Sequence, residues 1–358
     1  MFNFFKKNQN QVELPQVMPM NVWEESSFMH VISDNVEKYT LDENAAERIR
    51  AVPGVKLIDF NFPKPDVNGN MIIEYKGEEY GAGFYFDNFE LDSLYSLQKQ
   101  KIHEEDFEKI KSKTKSFVLY MKFHKDPLTS YHLQLKLLEA FFPDMLVAVD
   151  ESAERLLSRK WVHLAVESEV PPNAESLFNV QAVSDDNGKV WLHTHGLCRA
   201  GFSELEILDV NSDDVNTQYY LMNTTANRML YENKEIGDYI FLGEFQDGGP
   251  IVVTSLPWNK GLTKYPEKIV GGADDRLNGH NTNSSLLFLY LTEDDAGNEV
   301  YTKPTDVNQK LEDNPLYYYT NTQTEQMRSQ ARERFYILKK AIKDHTDDCY
   351  AMIKIGLP

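Results

Sequence analysis

The sequence predicts an α+β protein of two domains, each a mixed, largely antiparallel sheet packed with helices. Three observations carry this. Short alternating strands joined by tight turns recur through the 358 residues. Helical patterns fall between them at irregular intervals instead of after every strand, which is the signature of α+β and not of α/β architecture. A charged, proline-containing stretch, Glu167 to Asn173 with Pro171-Pro172, interrupts the pattern near the middle. The length suits about two domains at ~100–200 residues each. The expected boundaries are a tail over 1–20, a first domain over 21–170 and a second over 171–358 with a closing helix and strand.

The tail, with Asn8, Gln9, Asn10, Gln11, Pro15 and Pro19, follows neither hydrophobic period. Phe28 to Ile32 is an expected strand and Asp42 to Val52 a helix stopped at Pro53-Gly54. Ile58, Phe60 and Phe62 alternate as one strand face. Asn68-Gly69 and Lys76-Gly77 then mark turns around Met71 to Tyr75 and Tyr80 to Phe86, an antiparallel meander. A helix over Glu104 to Lys111, a strand over Phe117 to Phe123, a helix over Ser130 to Phe142 and a strand over Met145 to Val149 come next. Asp150 is expected to cap a helix running to Ser158, and Trp161 to Val166 to be a strand.

In the second half, Phe178 to Val183 and Val190 to His195 flank Asp186-Asn187-Gly188, a hairpin by the Asn-Gly rule. Glu204 to Leu208 reads as a strand. Ser212-Asp213-Asp214 opens a helix with Val215, Tyr219, Met222, Ala226 and Met229 on one face. Hairpins are expected around Gly248-Gly249-Pro250 and around Asp294-Asp295-Ala296-Gly297. Residues 256–285 between them lack periodicity, and loops of that length are often functional. Thr322 with Glu325 reads as a capping box before a helix whose core face is Met327, Ala331, Phe335, Leu338 and Ile342. Tyr350 to Ile355 closes as a strand.

Composition bounds the function. There are 37 basic and 56 acidic residues, net −19, so the chain repels a phosphate backbone and is expected to bind no nucleic acid. The same charge steers a basic partner toward the surface. Two cysteines, Cys198 and Cys349, make no disulfide framework and point to a reducing cytosol. Met1 to Lys7 places its apolar residues before its lysines, the reverse of a signal peptide. No run approaches 18 apolar residues, so no membrane association is expected.

The densest chemistry lies in Trp191-Leu192-His193-Thr194-His195-Gly196-Leu197-Cys198-Arg199, followed by Ser203, Glu204 and Glu206. On a strand, Trp191, His193 and His195 share a face, and with Arg199 and Glu204 they form the candidate site face. One chemistry is zinc held by His193, His195 and Glu206, with Ser203 and an upstream acid such as Glu151 completing a hydrolase. The order His-x-His, seven residues, Ser-x-x-acid resembles the JAMM-type zinc isopeptidases, although Glu206 stands where that family has Asp and Gly196 where it usually has Pro. Another chemistry makes Cys198 a nucleophile activated by His195 and Arg199. Against both stands the reading in which these side chains are ordinary core residues, and no metal or cofactor is then expected. Gly271-Gly272-Ala273-Asp274-Asp275-Arg276 lacks the lysine and strand-to-helix setting of a phosphate loop, and Arg276 is expected to pair with an acid. His132 and His280 are lone histidines that read as hydrogen-bonded structural residues.

The whole run from Trp191 to Glu206, with the upstream His132-Leu133-Gln134 helix and Trp161, resembles an uncharacterised bacterial family defined only as a domain of unknown function. The resemblance covers about residues 20 to 260 and implies no activity, ligand or substrate. The expectation is therefore an acidic, non-enzymatic interaction module that binds, and neutralises, an unidentified basic protein. The alternative is the zinc hydrolase centred on His193 and His195.

Overall fold

A computed structural model of the chain describes residues 25–36, 43–62, 68–91, 102–236, 239–277, 279 and 281–344. The expected tail over 1–20, the strand over Tyr350 to Ile355, Cys349 and His280 lie outside the described residues. The chain divides into two compact units. Of the described residues, one comprises Glu25–Asn179, Asn227–Lys234 and 318–344, and the other is built from Val180–Ala226 and Glu235–Tyr317. Among the described residues no helix is long and apolar enough to cross a membrane.

The first unit holds β1 (Ser26–Ile32), α1 (Glu43–Arg50), β2 (Val55–Asn61), β3 (Gly69–Tyr75), β4 (Glu78–Asn88), α2 (Glu104–Lys111), β5 (Lys115–Lys122), α3 (Pro127–Phe141), β6 (Val147–Asp150), β7 (Arg155–Ser158) and α4 (Arg159–Glu167). Its seven-stranded sheet runs β2-β3-β4-β5-β1-β6-β7, and every pairing in it is antiparallel. Lys76 and Gly77 take φ of 51° and 85°, the left-handed pair that a two-residue hairpin needs. The register of β2 on β3 shifts between Leu57 and Asp59. That bulge turns Ile58 outward, 48% exposed, so Ile58, Phe60 and Phe62 do not form the single face that their alternation predicts.

Helix α3 starts at Pro127, three residues before the expected Ser130. Asp126 caps it by accepting from Thr129 N at 3.0 Å, and proline is at home in a first turn. The helix is buried on nearly every side, so its polar residues must find partners inside. Gln134 donates to the Ser27 carbonyl at 2.9 Å and accepts from Ser27 Oγ at 2.7 Å. His132 Nε2 donates to Ala165 O at 2.9 Å, and Lys136 Nζ donates to Val166 O at 2.5 Å, at the carbonyl end of α4 where a cation is favoured.

Two expectations fail nearby. Asp150 caps a turn, accepting from Ala153 N at 3.3 Å, and the chain re-enters the sheet as β7 instead of forming a helix. Trp161 to Val166 is helical within α4. Ser158 Oγ caps Trp161 N at 3.3 Å, and the buried pair Val162 and Ala165 falls at helical spacing, which the short apolar run concealed. Within the stretch Glu167 to Asn173, Glu167 and Glu169 are exposed while Ser168 and Pro172 are buried.

The second unit contains β8 (Asn179–Ser184), β9 (Lys189–His195), β10 (Glu204–Asn211), α5 (Val215–Glu232), β11 (Ile240–Glu244), β12 (Pro250–Pro257), α6 (Trp258–Gly261), β13 (Ser284–Tyr290), α7 (Glu293–Gly297), α8 (Asn308–Glu312) and β14 (Leu316–Tyr317). The division between units cuts α5 after Ala226. The sheet order is β14-β11-β12-β13-β10-β9-β8, with β10 and β13 parallel. Every residue of β13 is buried, as its unbroken apolar run requires of a strand covered on both faces. On α5 the expected core face holds at Met222, Ala226 and Met229, but Tyr219 is 39% exposed. Around Asp294 the expected hairpin turn is instead α7, capped by Thr292 and Asp295, and only the bridge Leu289 to Thr302 continues the pairing.

Helix α9 (Asn321–Lys343) belongs to the first unit. Thr320 caps it by accepting from Gln323 N at 2.9 Å, so Thr322 and Glu325 are not the cap. Its expected core face is turned outward: Met327, Phe335 and Ile342 are 45%, 50% and 58% exposed. The polar side docks instead, through Gln326 and Gln330 on the Pro171 carbonyl at 3.0 and 2.7 Å and Glu333 on Ser168 Oγ.

His132 gives this unit a defined acid sensitivity. Burial, reinforced by the Lys136 charge, pushes its imidazole down to about 3. The unfolded chain therefore takes up this proton first, and stability is lost as pH falls from about 6.5 toward 3. The expected cost from this residue between pH 7 and pH 5 is about 2 kcal/mol. Urea titrations at the two pH values should show that loss in the native protein and a clearly smaller one in His132→Gln. Equal losses in both proteins would contradict the assignment.

Candidate functional site

The site is built on β9 and β10. The hairpin entering β9 is fixed by Asp185, whose side chain accepts from Asn187 N and Lys189 N at 2.9 and 2.8 Å, and by Gly188 at φ 77°. Period two then sets Trp191, His193 and His195 on one face. The Trp191 and His193 rings lie 4.2 Å apart between centroids and the two imidazoles 4.9 Å apart, edge to face. Glu206 of β10 pairs directly opposite His193. His193 and Glu206 are fully buried and Trp191 is 3% exposed, while His195 at the end of β9 is half-buried.

The face is closed by the aperiodic stretch between β12 and β13. Arg276 reaches Glu206 with both terminal nitrogens, Nη1 to Oε1 at 2.8 Å and Nη2 to Oε2 at 2.5 Å, and both side chains are wholly buried. The same guanidinium donates to Asn281 O, Ser284 Oγ and Gly271 O at 2.8, 3.1 and 2.8 Å. Its plane is flanked by aromatic rings, 4.8 Å from the Trp258 centroid and 5.3 Å from that of Trp191. Trp258 Nε1 anchors the loop again on Thr282 O at 3.0 Å. Gly271 sits at φ 77° with its backbone against Trp191, where a Cβ would come within 2.6 Å of the indole.

The other acids and nucleophiles of the stretch are similarly engaged. Glu204 accepts from Thr194 Oγ1 at 2.6 Å, Gly196 N at 2.9 Å and Cys198 N at 3.0 Å, and so holds the turn after β9. Burial pushes its carboxyl above the ordinary range, against the pull of these three donors. Cys198 is a buried thiol whose sulfur lies 3.9 Å from Asn283 O, Arg199 is buried, and Ser203 Oγ bonds Ser285 Oγ at 3.1 Å. Glu151 lies in the other unit, paired with His30 Nε2 at 2.7 Å, and that hydrogen bond lowers its carboxyl. Of the sequence-predicted face, Trp191, His193 and His195 stack together, while Glu204 is engaged by Thr194 and the turn after β9. Among the described residues no group of three or more His, Cys, Asp or Glu is arranged to hold a metal.

Two features were not read from the sequence. Trp258 completes the stack around Arg276 from 67 to 18 residues away along the chain, a distance at which no local period signals it. In the first unit a cavity of about 910 Å³ is lined by Trp161, His163, Glu139, Arg159 and Leu146, among others. Within it His163 Nδ1 and Glu139 Oε1 lie 2.8 Å apart, and Glu139 raises the imidazole above its usual range.

Fold and site together define an α+β protein of two seven-stranded, mostly antiparallel sheets, with a buried aromatic and ionic stack in the second. The chain belongs to the DUF4026 family: residues 27–172 match its model described as protein of unknown function N-terminal, and residues 180–288 match the C-terminal one. No curated protein matches the chain, and no solved structure does.

Glu204→Ala strands three buried donors and should cost about 1–3 kcal/mol of unfolding free energy, with Glu204→Gln costing less. Because the native carboxyl is raised, its contribution is full below the ordinary Glu range and fades as pH rises through the folded value. Denaturation across that range should show the fade in the native protein and none attributable to this site in the Gln variant. A fade of the same size in both would refute the role.

Proposed function

We propose that the protein is a non-enzymatic interaction module that binds, and thereby neutralises, a basic protein partner. The observation that carries this is a cluster of aspartates at one end of the second unit. Ser212 donates to Gly188 O from both its N and its Oγ, at 3.2 and 2.8 Å, and so ties the β8–β9 turn to the start of α5. This sets the turn with Asp185 and Asp186 at the same end of the sheet as Asp213 and Asp214, and there Lys189 pairs with Asp209 at 2.8 Å. Just beyond, Tyr219 and Tyr220 are 39% and 62% exposed, and exposed tyrosine beside charge is a common feature of protein interfaces. The chain's net charge of −19 adds long-range attraction for a cationic partner and repulsion for nucleic acid. A reducing cytosol suits a chain with so few cysteines, of which Cys198 is a buried thiol.

The commitments inside the second unit support a non-catalytic reading of His193 and His195. Both oxygens of Glu206 are taken by Arg276, and both oxygens of Glu204 by other donors, so neither is offered to an ion beside the imidazoles. Elemental analysis of protein purified without chelator should find zinc far below one per chain. Stoichiometric zinc would replace this reading with the hydrolase.

The partner-binding surface is tested with a fluorescent oligolysine peptide. Asp186→Lys with Asp213→Lys should weaken its binding about ten-fold and flatten the salt dependence. Reversing Glu293 and Asp294 on α7, the same change in net charge, should leave affinity within about two-fold. Equal weakening by both pairs would show that only net charge is sensed and would defeat the proposed surface.

A further inference from the structure

Helix α9 inverts the charge of the molecule that carries it. It holds six basic residues, Arg328, Arg332, Arg334, Lys339, Lys340 and Lys343, against Glu325 and Glu333, in a chain of net −19. It also inverts the usual sense of amphipathic packing. Gln326, Gln330 and Glu333 face the first unit, where they engage Pro171, Pro172, Ser168 and Glu169. The other side presents Met327, Phe335 and Ile342, each at least 45% exposed. At 3.6 residues per turn these three fall on one stripe, and Arg328, Arg332, Lys339 and Lys343 run alongside it. Lys339 Nζ lies 5.3 Å from the Phe335 ring centroid, so the cationic row and the apolar stripe are one continuous surface.

We infer that this side of α9 is a docking surface for an anionic lipid surface, with Arg and Lys heads at the lipid phosphates and Met327, Phe335 and Ile342 at the acyl boundary. Charge chooses among the occupants. A second copy meeting face to face would oppose two basic rows. A groove that captures a helix wraps it from several sides, whereas the opposite side of α9 is already docked. What remains is a shallow, straight row about 22 Å long, the rise of the helix from Met327 to Ile342, and a flat interface meets all of it at once. The net negative charge of the rest of the chain is screened beyond about 8 Å at physiological salt, so it does not cancel the local attraction. Because neither a short apolar stripe nor a few cations suffices alone, binding needs both and is reversible. This inference stands apart from the aspartate cluster and its basic partner.

Co-sedimentation of the full chain with vesicles tests it. Equal parts of phosphatidylglycerol and phosphatidylcholine should retain the protein, and phosphatidylcholine alone should not. Phe335→Ala with Ile342→Ala, and separately Arg332→Gln with Lys339→Gln, should each lower the bound fraction roughly five-fold or more, as should raised salt. Circular dichroism checks that these exposed substitutions leave the fold intact. No retention on the anionic vesicles, or retention indifferent to either pair, would overturn the inference. So would a dimer in solution that Phe335→Ala dissociates, because a second copy would then be the occupant.

Discussion

The second unit depends on one buried ion pair, Arg276 with Glu206. Both side chains are fully inaccessible, and taking two charges out of water costs several kcal/mol per ion before any attraction is counted. The pair is tolerable because the guanidinium is planar and both of its terminal nitrogens are engaged. It makes two bonds to the carboxylate, three to loop oxygens, and stacks against two indoles. Those same bonds, together with Trp258, Tyr265, Leu262 and Ile269 in the cluster around Trp191 and Phe288, hold the described part of the aperiodic stretch in place. Gly271 follows from the same constraint, since its carbonyl must reach Arg276 while its α-carbon lies on Trp191.

The same ion pair sets the surroundings of the histidine pair. His193 and His195 lie on a strand face beneath Trp191, opposite a glutamate already spoken for. The carboxylates nearest the two imidazoles already accept from an arginine and from the turn after β9. The chemistry open to solvent is elsewhere: aspartates at the β8–β9 end of the second unit, and the cationic, apolar side of α9 in the first. In the first unit Gln134 Nε2, His132 Nε2 and Lys136 Nζ each donate to a backbone carbonyl.

Much of this was legible in the sequence where local rules act. Asn187-Gly188 and Lys76-Gly77 announced their hairpins, and the shared face of Trp191, His193 and His195 followed from period two. Even the pairing of Arg276 with an acid was expected. The identity of that acid was not, because Glu206 lies 70 residues away and only the parallel pairing of β10 with β13 brings it near. Trp161 to Val166 misled because a six-residue apolar run fits a strand or a helix equally, and the deciding signal was the cap at Ser158. For α9 the periodicity of Met327, Phe335 and Ile342 was real, but a period does not say which side docks. There the side-chain amides of Gln326 and Gln330 found carbonyls, and the apolar stripe was left outside.

The most direct test is a double-mutant cycle on Arg276 and Glu206, read by denaturant unfolding of Arg276→Met, Glu206→Leu and the two combined. If the pair is the constraint described, each single change leaves an uncompensated buried charge and costs about 3–5 kcal/mol. The double variant should then lose no more than either single one, a coupling of some kcal/mol. Independent, additive losses would contradict the account, because Arg276 and Glu206 would then be stabilised by their surroundings and not by each other.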